Sequence, residues 1–167
     1  NKYKKNNLEF KKIDAAYSEF ADNTFDAVIS FHVIEHIPEE QITGYLKSII
    51  RVLKKGGMAF ISTLNLDKNR RPNKPYAKNP FHIKEFTYEK FDLSIKEIFE
   101  TYELYGLFYG TRLKFYERLK KIGIFKFFPP KLNIVDNYYA RITVNDFMWK
   151  KKDLRSSIDF MAVCVKK

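Results

Sequence analysis

The chain has 167 residues and carries 31 Lys and Arg against 20 Asp and Glu, a formal net charge of +11. A single cysteine, Cys164, excludes an internal disulfide framework, and no apolar run approaches the ~18 residues of a membrane-spanning helix. The length supports one core, and the positive balance admits nucleic acid, an anionic membrane or an acidic substrate without choosing among them; the cytoplasm is the default compartment.

In chain order, the first clear element is the apolar run Ala27 to Phe31, a buried strand preceded by Asp26 and ended at once by His32, Glu35 and His36. Ligands of open α/β sheets bind just beyond the carboxyl ends of the strands, and two of the three histidines sit at this one place. After Pro38 the pattern becomes helical, with Ile42, Tyr45, Leu46, Ile49, Ile50 and Leu53 on one face. Pro38, Glu39 and Glu40 suit its start, Lys54 and Lys55 its end, and Gly56-Gly57 its left-handed stop. Met58 to Thr63 is a second buried strand, which completes a βαβ unit and implies parallel pairing.

Leu64 to Pro80 is expected as a loop, blocked from regular structure by Pro72, Pro75 and Pro80. It carries Arg70, Arg71, Lys74 and Lys78, and a loop of this length is expected to be a lid over the substrate. Thr87 caps a helix with Phe91, Ile95, Ile98 and Phe99 on one face, and Thr101 to Leu107 reads as a strand. Thr111 to Lys121 spaces Leu113, Tyr116, Leu119 and Ile122 among basic residues and leads into Gly123 to Pro130, rich in phenylalanine. Such a helix is either a cap on the protein's own core or a peripheral membrane contact through residues 111–130. Ile158 to Val165 is the final strand, with Cys164 a buried small hydrophobe.

Six segments in order resemble a class I S-adenosylmethionine-dependent methyltransferase. They are Phe25 to Ser30, Val33 to Ile37, Leu53 to Gly57, Ile61 to Asn65, and the flanking pieces Leu8 to Ala15 and Asn79 to Thr87. The resemblance covers roughly the first two-thirds of the chain. It implies a Rossmann-like sheet, mostly parallel with an antiparallel C-terminal edge, and S-adenosylmethionine as cofactor. The glycine-rich turn of the family has no counterpart among Gly44, Gly56, Gly57, Gly106, Gly110 and Gly123, so its N-terminal strands are expected to be missing. The expected organisation is a partial methyltransferase core over 1–109, a basic and aromatic insertion or cap over 110–153, and the last core strand over 154–167.

The same resemblance implies roles for particular residues. Asp14, at the end of a strand over Leu8 to Asp14, would accept from the adenine amino group, with the N–H of Ala15 beside it, and Phe31 would pack on the methionine part of the cofactor. Asn65, Arg70 and Arg71 would face the acceptor. His32, Glu35 and His36, at i, i+3 and i+4, share one face if a helix has begun at residue 32. One histidine then serves as base or orients the acceptor, His36 before His32. Two groups of relatives, ubiquinone-pathway O-methyltransferases and small-RNA 2′-O-methyltransferases, carry a metal-holding Glu-x-x-Glu-His pattern there. Here His32 replaces the first glutamate, and a divalent metal would draw on His32, Glu35, His36 and His82. The expected activity is methyl transfer to oxygen or nitrogen of a small acceptor, lipid-linked or sugar-like. The alternatives are an RNA methyltransferase and a non-catalytic interaction domain that keeps the scaffold.

Overall fold

A computed structural model describes residues 7–70, 75–129 and 132–167. The apolar run becomes β1 (Phe25–Phe31) and the amphipathic stretch becomes α1 (Ile42–Val52), which buries Ile42, Tyr45, Leu46, Ile49 and Val52. Leu53, expected to continue that stripe, turns extended at ψ 141° and opens β2 (Leu53–Leu64). The helix therefore stops at Val52, before Lys54 and Lys55, and the expected glycine stop is corrected: Gly56 and Gly57 lie inside β2. Gly56 has φ +78°, and a Cβ on Gly57 would meet the carbonyls of Lys54 and Asp26 at 2.9 and 3.1 Å. β1 then pairs in parallel with β2 from Ala27–Met58 to Phe31–Ser62.

The remaining elements are α2 (Leu66–Asn69), α3 (Tyr88–Lys96), β3 (Thr101–Tyr109), α4 (Thr111–Lys121), α5 (Ile134–Tyr139), β4 (Phe147–Lys150) and β5 (Asp159–Val165). The sheet order is β1-β2-β5-β3-β4. The expected mostly parallel sheet is corrected here, because β5 wedges antiparallel between β2 and β3 and β4 lies antiparallel on β3. β1 with β2 is the one parallel pair among the described residues. The fold is α/β, with a five-stranded mixed sheet.

Three other expectations change. Residues 8–14 form no strand, and the outer edge of β1 has no neighbouring strand among the described residues. A strand without a ladder partner leaves its N–H and C=O groups to water, so nothing holds residues 8–14 in one. The loop after β2 is not irregular throughout. Asn65 caps α2 by accepting from the N–H of Lys68. Finally, residues 110–153 contribute a strand, β4, to the sheet.

The core lies between the sheet and the pair α1 and α3. Leu46, Leu53, Ile61, Phe91, Ile95, Phe160, Ala162 and Cys164 meet there. Phe91 stacks on Phe160 with centroids 5.8 Å apart, and burying each such ring contributes about 1.5–3 kcal/mol. Thr87 caps α3 as expected, its hydroxyl accepting from the N–H of Lys90. α4 buries Leu113 and Tyr116, and Tyr116 stacks on Tyr138 of α5 at 3.5 Å. Arg112 grips Asp146 with two hydrogen bonds of 2.9 and 3.0 Å, tying α4 to the turn before β4. Among the described residues no helix is long and apolar enough to cross a membrane.

Candidate active site at the carboxyl end of β1

The site begins where β1 stops. His32 has φ +52°, in the left-handed region that a non-glycine residue seldom adopts. Its N–H still donates to the carbonyl of Ser62 at 3.1 Å, so the ladder holds it while the chain reverses. A short 3-10 turn follows at Ile34–His36. The expectation of a helix running from residue 32, with three side chains on one face, is therefore corrected.

The reversal folds His32 back onto two carboxylates. Its Nδ1 lies 3.0 Å from Glu35 Oε1 and its Nε2 3.5 Å from Asp159 Oδ2. Both nitrogens face acceptors, so both carry protons. Hydrogen bonding to Asp159 and then to Glu35 overrides partial burial and pushes the His32 pKa up to about 10. Glu35 is 1% exposed, which alone would raise its carboxyl, but His32, backbone N–H bonding and the Thr63 hydroxyl at 3.1 Å hold it below the usual range. The carbonyl of Glu35 accepts from the N–H groups of Ile83 and Lys84, which pins the 81–85 segment over the site. Asp159 Oδ1 is buried without a hydrogen-bond partner.

His36 and His82 meet at this segment, rings edge to face with centroids 5.2 Å apart. His36 Nδ1 lies 2.8 Å from the carbonyl of Phe81, which can only accept, so Nδ1 holds a proton, and Nε2 has no hydrogen-bond partner among the described residues. The ring is exposed. His82 is buried, with Nδ1 3.2 Å from Glu85 Oε1 and Nε2 3.1 Å from Asn79 Nδ2.

Ligand atoms of Glu35, His36 and His82 lie within 4.8 Å of one another. Two imidazoles and a carboxylate suit zinc or iron. The partners at Nδ1, a carbonyl for His36 and a carboxylate for His82, are of the kind that orient ligating histidines. His32 stands outside this set, a correction that follows from its turn toward Asp159.

The other expected residues are more dispersed. Asp14 is exposed, and its Oδ1 accepts from the N–H of Ala16 at 2.9 Å. Ala15 lines an apolar groove of about 320 Å³ with Ile13, Val28, Ile29, Val33 and Ile49. Neither Asp14 nor Phe31 lines that groove, and Phe31 is 53% exposed at the end of β1. The groove offers an apolar wall to a ring system, and no glycine turn borders it. Asn65 is fully buried, and its amide donates to the carbonyls of Leu154, Arg155 and Ser157 at 3.2, 3.0 and 2.8 Å. Arg70 is exposed after α2, and Arg71 lies outside the described residues. Sequence reasoning missed Asp159, Thr63 and Glu85. The signal for Asp159 was an acidic residue set between Ile158 and Phe160 in an otherwise apolar strand.

Residues 1–61 match the family model described as a methyltransferase domain. A probable S-adenosylmethionine-dependent methyltransferase of Mycobacterium tuberculosis is 30% identical over 108 residues, covering 64% of this chain and 38% of the relative. Phosphoethanolamine N-methyltransferase 1 of Triticum aestivum is 31% identical over 86 residues, 52% of this chain and 16% of that protein. A solved S-adenosylmethionine-dependent methyltransferase from Archaeoglobus fulgidus shares the fold, with a TM-score of 0.58 at 14% identity over 99% of this chain and 71% of that one. The chain thus spans well under half the length of the curated relatives it matches. Motif order, sheet and matches agree: residues 1–61 match a methyltransferase domain, and the chain is similar in sequence and fold to part of S-adenosylmethionine-dependent methyltransferases.

Proposed function

We propose that the protein carrying this chain methylates a small-molecule acceptor on oxygen or nitrogen, with His36 as the base. The observation that carries this reading is the Nε2 of His36, without a hydrogen-bond partner among the described residues and exposed at the carboxyl end of β1 while Nδ1 is locked to the Phe81 carbonyl. S-adenosylmethionine, when bound, would supply the methyl group from its positively charged sulfur and leave as S-adenosylhomocysteine. His36 Nε2 takes the proton that the acceptor atom releases. His32 cannot, because both its nitrogens already donate to carboxylates; it holds Glu35 and Asp159 in place instead. Asp14 keeps Oδ2 for an adenine amino group, and Ala15 places its backbone beside it. A small acceptor is in keeping with the wheat relative, whose name gives phosphoethanolamine as its substrate.

The test uses the natural-length protein. His36→Ala is expected to lower kcat by about 10²-fold or more, the usual size of a lost general base, while calorimetry with S-adenosylhomocysteine gives an unchanged Kd. Full activity in the variant would exclude His36 as base. The closeness of Glu35, His36 and His82 favours a second reading, in which these three hold a divalent metal and His36 Nε2 is a ligand. Stoichiometric zinc or iron in the purified protein, lost in His82→Ala, would select that reading over the base.

A further inference from the structure

A second polar region lies at the same end of the sheet. β2 ends there at Leu64, β5 begins there at Asp159 and β3 ends there at Tyr109. Between β3, β4, α2 and α4 is a cavity of about 240 Å³. Lys114, Arg118 and Lys121 project into it from α4 at i, i+4 and i+7, one face of the helix. Lys150 reaches it from β4, its Nζ 5.4 Å from the Phe108 ring, and Lys68 from α2, its Nζ donating to the Ser156 carbonyl. Glu117 is the one carboxylate in the lining, and its Oε1 accepts from the Tyr139 hydroxyl at 2.5 Å. No ion pair among the described residues engages Lys114, Arg118, Lys121 or Lys150.

Like charges repel, and Lys114, Arg118, Lys121 and Lys150 bring four cations from two elements around one concave wall, where a bound anion offsets their repulsion. The volume is below the 300–1,000 Å³ of common ligand pockets, so it suits a compact head group rather than a whole cofactor. The excess of positive charge calls for a multiply charged anion, and Arg with Lys is the pairing that grips phosphate oxygens. Ile158, in the lining, adjoins Asp159, the partner of His32, so the cavity borders the candidate active site.

We propose that this basic cavity binds the phosphate group of a small phosphomonoester and anchors it as the methyl acceptor; the second clause rests on the function proposed above.

Calorimetric titration of the natural-length protein with inorganic phosphate, without any methyl donor, tests the site apart from the reaction. Saturable binding is expected, weakened by about tenfold or more in Lys114→Gln/Arg118→Gln and unchanged in Lys96→Gln, a lysine of α3 outside the cavity. Absence of saturable binding, or equal loss in all variants, overturns the proposal. So does binding confined to phosphatidylcholine vesicles containing phosphatidic acid, or to poly(U), which would make the face a membrane or RNA surface. Donor binding measured separately with S-adenosylhomocysteine keeps failure of the anion site distinct from failure of the methyltransferase reading.

Discussion

Glu35 and the α4 face treat charge in opposite ways. The Glu35 carboxylate is buried, with one oxygen on His32 and the other on Thr63, and its backbone carbonyl takes two further N–H groups. Lys114, Arg118 and Lys121 are exposed and form no ion pair among the described residues. A buried charge must be satisfied from within the fold, so Glu35 is part of the scaffold. An exposed charge is satisfied by water until something better arrives, so the basic face adds little to folding and is available for a ligand.

Substitution can break or sharpen this contrast. The largest effect is expected for Glu35→Ala, which leaves His32 with Asp159 alone, strands the Thr63 hydroxyl and empties a buried site. Denaturant unfolding should show a loss of about 3–5 kcal/mol, against about 1–2 kcal/mol for Glu35→Gln, which keeps the shape. Equal, small losses would mean that water replaces the carboxylate. Asn65→Ala comes next. It leaves the Arg155 and Ser157 carbonyls without the Asn65 donor and removes the α2 cap, a cost of about 2–3 kcal/mol in the same measurement. The smallest effect belongs to Lys114→Gln/Arg118→Gln, expected to stay within about 0.5 kcal/mol of the parent. A large loss there would mean that the basic face is structural after all.

Much of the frame was legible from its apolar period. The apolar stripe from Ile42 to Ile49 matches the face that α1 buries, whereas the stop expected at Gly56-Gly57 comes earlier, at an extended Leu53, and the glycines fall inside β2. β4 was not legible, because Phe147–Lys150 is only four residues long and runs into lysines. Its place depends on pairing with β3 rather than on its own pattern. In the site, the cluster of His32, Glu35 and His36 was visible, but its geometry was not. Nothing in the local sequence announces a left-handed histidine. The residue that draws its ring outward, Asp159, is far along the chain. Asn65 shows the same limit: its neighbours fit a turn, whereas its partners at 154–157 come from the other end of the fold.

The wedged position of β5 has a consequence for biosynthesis. β5 leaves the ribosome after the four strands of the sheet that precede it, yet β3 and β4 reach β2 only through it. Until Asp159–Val165 arrives, the nascent chain can form the β1-α1-β2 unit and the β3-β4 pair as separate pieces, each with a bare sheet edge. Closure is therefore a late, long-range event that inserts a strand between two waiting ones, and the interval before it is when this protein most needs shielding from its own copies.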